Sequence, residues 1–173
     1  MSIQSIIGAT LTATTLLAAG TSFAQQANPL DAIPDKMPFD IPYGPSITLS
    51  RAEAVLHAAL AESTRRTWKL NCAVFDAGSN LVMFQRQDGA ALASIDIALH
   101  KARAAVKFRR ETKLLEAGVQ NGMNYLITLD DVIASRGGIP LVDDGKVIGA
   151  VGCSGGTGSQ DEVAAKAGVA ALR

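Results

Sequence analysis

Apolar side chains at Ala52, Val55, Leu56, Ala59 and Leu60 repeat at the three-and-four spacing of one helical face. Ser50 and Glu53 form a capping box for that helix, each side chain satisfying a free amide of the first turn. The spacing predicts an end near Thr64 to Arg66. The period then shortens: Trp68 to Phe75 reads as a strand, Asp76-Ala77-Gly78-Ser79-Asn80 as a turn and Leu81 to Gln85 as the returning strand of a hairpin. Helical spacing resumes at Ile95, Ala98, Leu99, Ala102 and Val106, with Ser94 as cap and an end near Phe108. Ala102, Ala104 and Ala105 permit close backbone approach along this helix. Thr112 to Val119 predicts a short helix, and Asn121 to Asp131 is less regular. Gly137-Gly138 interrupt the chain before a strand at Ile139 to Val142. Asp143-Asp144-Gly145 turns into the last strand, Lys146 to Cys153, and Ser159 with Glu162 opens a final helix.

Tight hairpins require antiparallel pairing. Runs of strands separated by helices predict a layered α+β domain.

The first 24 residues stand apart. Ile6 to Ala19 is an apolar and small-residue run followed by Ser22-Phe23-Ala24, a small-x-small site of the signal-peptidase type. The run is too short and too diluted by Thr and Gly to span a bilayer. Residues 1–24 are therefore expected to be a removable signal peptide, and the protein to be periplasmic or secreted. Residues 25–45 form a proline-rich leader, with Pro29, Pro34, Pro38, Pro42 and Pro45 favouring extended backbone. Residues 46–173 remain as one domain, enough chain for a single core.

Sixteen basic residues balance sixteen acidic ones. With no basic excess there is no electrostatic footprint for nucleic acid, and a neutral surface leaves self-association open. Cys72 and Cys153 lie in apolar strand-like runs and read as buried thiols used as small hydrophobes. Neither belongs to a Cys-x-x-Cys-His motif, which argues against covalent haem attachment and against a cysteine zinc site. A His-Glu-x-x-His helix is lacking, and Ser94, Asp96 and His100 share one helix, so they cannot act in line as a triad.

Two distant segments carry a resemblance. One runs from Asp76-Ala77-Gly78-Ser79-Asn80 through Arg86-Gln87-Asp88-Gly89 to Ser94-Ile95-Asp96 and Lys101-Ala102-Arg103. The other comprises Gly137-Gly138-Ile139-Pro140, Gly149-Ala150-Val151-Gly152 and Ser154-Gly155-Gly156-Thr157-Gly158 with Gln160-Asp161. In this order and spacing they resemble the GlcG/HbpS family of small haem-binding proteins, from about Ser46 onward. The resemblance implies a profilin-like (PAS-like) five-stranded antiparallel sheet flanked by helices, non-covalent haem and a homo-oligomer. It also places the two cysteine strands side by side, which leaves a cross-strand disulfide open.

Candidate iron ligands are His57, His100, Met83, Met123, Tyr125 and Tyr43. His57 follows Glu53 by one turn and His100 follows Asp96, so a solvated acid pair is the plain alternative for each. His100 is preferred as the metal ligand because it lies in the family-like helix beside Lys101 and Arg103. Lys101, Arg103 and Arg86 are candidates for the propionates or another carboxylate, with ordinary surface charge as the alternative. Gly155, Gly156 and Thr157 precede a helix N-terminus whose amides can face an anion or wall a ligand pocket. The leading expectation is a haem-binding protein without turnover, serving haem buffering or redox sensing. Its rivals are an enzyme for a small carboxylate or hydroxy acid, with Lys101 or Asp76 moving the proton and Arg103 as clamp, and an extracytoplasmic partner of a membrane sensor.

Overall fold

Thr48, rather than Ser50, opens the first helix. Its backbone is extended, its Oγ1 accepts from the Arg51 amide at 3.5 Å, and Ser50 lies inside the helix α1, Leu49–Arg65. These positions belong to a computed structural model that describes residues 31–172. The signal-peptide expectation for 1–24 and the first leader residues, 25–30, fall outside the described residues. The chain divides after Lys36, and every element below lies in the unit from Met37 to Arg173.

The first strand starts later than its apolar run. After α1 the Trp68 amide still donates to Ser63 O and Thr67 holds a positive φ, so β1 begins only at Asn71 (Asn71–Asp76). Asp76 shapes the hairpin, its carboxylate accepting from the Asn80 amide at 2.8 Å, and β2 (Leu81–Arg86) returns alongside. The next helix, α2 (Ala93–Phe108), has no side-chain cap. Ser94, expected as that cap, is buried instead. Its Oγ donates to Ala91 O at 2.6 Å and accepts from Asn71 Nδ2 at 2.7 Å.

Helix α3 (Thr112–Gln120) and a 3-10 turn, Asn124–Thr128, lead to β3 (Gly138–Asp143) and β4 (Lys146–Ser154). The final helix α4 (Gly158–Ala170) is opened by Thr157, whose capping-box partner is Gln160. Glu162, the partner expected for Ser159, is engaged in ion pairs instead.

The sheet has the order β2-β1-β4-β3, antiparallel throughout. It has four strands among the described residues where the resemblance implied five. The Asn121 to Asp131 stretch coils, and the leader adds only a bridge from Tyr43 to Val147. Period-two alternation divides the core. Cys72, Val74, Ile148 and Cys153 face α1 and α4, while Ala73, Phe75, Val147 and Ala150 face α2.

Helix α2 lies unusually close to the sheet. A Cβ on Gly138 would stand 2.2 Å from Lys101 O, and one on Gly152 would stand 2.4 Å from Ala102 N and 2.5 Å from Ala98 O. Only glycine fits beneath that backbone. Alanines at 98, 102 and 105 complete the contact.

The reading of Cys72 and Cys153 as free thiols is corrected: the two are bonded. They stand opposite one another in the β1–β4 register with Cα atoms 4.2 Å apart, within disulfide reach. Both are fully buried beneath α1 and α4. The bond closes a loop of sequence separation 81. Such closure removes freedom from the unfolded chain, so the Cys72→Ser/Cys153→Ser variant is expected to lose about 2–4 kcal/mol. Urea denaturation of the oxidised protein and the variant checks this; equal midpoints would refute it.

Candidate functional site

The candidate residues fall into three places. His57, Leu60 and Thr64 stand on one flank of α1, across from Trp68, Lys69 and Arg86. They line an open groove of about 800 Å³ between α1 and the end of the edge strand β2, within the usual size range of a ligand site. His57 is exposed at its wall and makes no ion pair with Glu53. Arg86 likewise forms no ion pair with Asp88. Sequence reasoning named His57 and Arg86 but missed Trp68 and Lys69, because the α1–β1 turn that brings them into the groove depends on the positive φ of Thr67.

His100 lies on the other side of the molecule. Arg103 and Lys107 follow it on the same stripe of α2, at the one-turn and two-turn positions. Both cations already have partners. Lys107 donates to the Asp131 carboxylate, and the Arg103 guanidinium sits 5.4 Å over the Phe75 ring. The Lys107 hydrogen bond holds the Asp131 carboxyl below its ordinary value against the effect of burial, and the charges of Lys107, Arg103 and His100 act in the same direction.

Lys101 is in neither place. Its side chain is 1% exposed, and Nζ donates to Asp161 Oδ2 at 2.7 Å. The other Asp161 oxygen accepts from the Gly156 amide at 3.0 Å. One buried carboxylate therefore joins α2, α4 and the glycine-rich turn. As a free propionate clamp or proton donor, Lys101 is corrected: its ammonium is enclosed and matched. The anion cradle expected at Gly155, Gly156 and Thr157 is also closed, because Thr157 N donates to Gln160 Oε1 at 2.8 Å and Gly156 N to Asp161. An anion arriving there would meet the Asp161 carboxylate. Asp161 had no assigned role in the sequence reading, and its place just inside a helix N-terminus was the available signal. Asp76, the rival proton donor, is held in the hairpin turn by Asn80.

A second charged network joins α3 to α4. Arg136 donates to Glu116 at 2.6 Å and lies 3.6 Å from Glu162, which also pairs with Lys113 and Lys166. Arg136 holds the Glu116 carboxyl below its ordinary value. Burial pushes Glu162 up, but the hydrogen bonds from Lys166 and Lys113 outweigh it and the net shift is downward.

A family model described as "Haem degrading protein HbpS-like" matches residues 47–170. Protein GlcG of Escherichia coli strain K12 is 41% identical over 103 residues, covering 60% of this chain and 77% of GlcG. The crystal structure of Klebsiella pneumoniae protein ORFY superposes with a TM-score of 0.71 at 30% identity, over 82% of this chain and 97% of ORFY. The crystal structure of a PduOC:heme complex superposes with a TM-score of 0.67 at 27% identity, over 73% of this chain and 94% of PduOC.

Lys101→Met leaves Asp161 buried and unmatched, at an expected cost of about 3–5 kcal/mol. Adding Asp161→Asn should recover part of that loss, since the amide oxygen still accepts from Gly156. Urea midpoints of the single and double variants test this, and a double variant no better than the single one would contradict it. Glu116 and Glu162 have folded values below their unfolded ones. Their contribution is therefore fully present above the unfolded carboxylate value of about 4.3 and is lost as pH falls through the folded values. Midpoints measured across that acid range should drop, and drop less steeply in Glu116→Gln.

Proposed function

The chain belongs to the HbpS-like family, and from that premise we propose that it binds haem non-covalently in the groove between α1 and β2. The observation that carries this reading is the similarity to the PduOC structure that holds haem. The groove's own chemistry fits such a ligand. His57 offers an exposed imidazole for the iron, Trp68 and Leu60 supply apolar wall, and Lys69 and Arg86 would be the cations available to two propionates. Bound haem would supply a redox-active iron. The protein's part is to orient the ring and match its carboxylates. His100 is the less suited histidine, since Lys107 and Arg103 beside it are already engaged.

Export is part of the same proposal. The signal-type N-terminus argues for it, and a buried disulfide suits an oxidising compartment. Self-association is proposed as well: Tyr125 and Ile127 expose apolar surface beside α3. The role that follows is haem buffering, or presentation of haem to a membrane sensor.

Haemin titration followed by absorbance tests the proposal, with His57→Ala and His100→Ala in parallel. A saturable Soret shift is expected in the unsubstituted protein, abolished by His57→Ala and kept by His100→Ala. No saturable shift would sink haem binding; loss only in His100→Ala would move the site to α2.

A further inference from the structure

A second concavity lies on the far edge of the sheet, where β3 has no neighbouring strand. It encloses about 500 Å³. Its walls are apolar: Phe39 and Ile41 from the leader, Ile139 and Val142 from β3, Leu114 from α3 and Leu172 beyond α4. Pro140 in the middle of β3 lacks an amide proton to donate, so a further strand is poorly suited to this edge.

Two adjacent guanidiniums stand in these apolar walls. Arg110 is half-buried, its Cζ 3.5 Å from the centre of the Phe39 ring, and its Nε donates to Phe108 O. Arg109 donates to Ile41 O at 2.9 Å and lies 5.6 Å over the Tyr43 ring. Among the described residues neither forms an ion pair with a carboxylate. Of the two acids lining the groove, Asp143 is paired with Arg51 and Glu111 stays outside ion-pair distance of both arginines. Burial lowers the Arg110 value, Tyr125 opposes this, and the like charge of Arg109 adds to the lowering. Elsewhere in the molecule, half-buried Arg136 has Glu116 and Glu162 as counter-charges. Arg109 and Arg110 thus form a half-buried pair of cations without a carboxylate counter-charge among the described residues, set in a pocket whose remaining surface is largely apolar.

We propose that this groove is a second ligand site, separate from the His57 groove, which takes a small carboxylate with an apolar chain or ring. The hydrocarbon lies along Ile139, Val142 and Leu114, and the carboxylate accepts hydrogen bonds from the forked donors of Arg110 and Arg109. A planar fork on a two-oxygen acceptor gives this site its preference for carboxylate over a neutral headgroup of the same chain length.

A dansyl-labelled medium-chain fatty acid is the probe. Its fluorescence should rise saturably on titration into the purified protein, and decanoate should displace it where decanol does not. Arg110→Gln should weaken binding roughly tenfold or more, the loss expected when a hydrogen bond to a charged group is removed, with the haemin titration unchanged. Leu114→Trp, a substitution at a half-exposed position, should block the probe by filling the groove. No saturable rise overturns the proposal, as does decanol competing as well as decanoate, or probe affinity unmoved in both variants. Displacement of the probe by haemin at one equivalent also overturns it, because the groove would then belong to the haem.

Discussion

The buried pair of Lys101 and Asp161 joins two helical layers that lie on opposite faces of the sheet. Helix α2 covers one face, α1 and α4 cover the other, and the pair passes around the N-terminal end of β3. Space for it exists because residue 137 has no side chain: a Cβ there would stand 2.8 Å from the Asp161 Cβ and 3.2 Å from Lys101 Nζ. Two charges in a dry interior are costly unless their remaining valences are satisfied. Asp161 meets that condition by also accepting from Gly156. The same residue therefore anchors α2, closes the glycine-rich turn and leaves that turn without an anion site.

Much of the fold was legible in the sequence because the periodicities are strong. Four α-helices, the hairpin and the last two strands were all expected within a few residues of their positions. The misplaced helix caps show why side-chain chemistry alone does not locate a cap. Ser50, Ser94 and Ser159 carry the side chain of a helix cap, but capping requires extended backbone as well, and Thr48 and Thr157 have it. Ser94 is drawn into the core by Asn71. The cysteines read as ordinary small hydrophobes because pairing depends on strand register, which a single run does not reveal.

The site was less legible than the fold. Lys101 and Arg103 are neighbours in sequence, yet one is buried against α4 and the other lies over Phe75. A helix turns neighbouring positions to different sides, and only tertiary packing decides which side is the interior. His57 and His100 are likewise separated by the sheet, on helices that cover opposite faces. Each therefore belongs to its own chemical surroundings: an open groove beside Lys69 and Arg86 for His57, and a stripe of engaged cations for His100.

The disulfide also fixes how the molecule responds to force. Tension applied at its two ends passes from β1 to β4 through the Cys72–Cys153 bond and bypasses everything between. The hairpin return, α2, α3 and β3 all lie within that bypassed stretch. A sequence separation of 81 corresponds to roughly 280 Å of extended chain at about 3.4 Å per residue. That length stays hidden from a mechanical pull while the bond is intact, and reduction releases it. The oxidised protein yields only its terminal segments to traction, and the Phe75–Arg103 contact and the Lys101 end of the buried pair lie on the sheltered side.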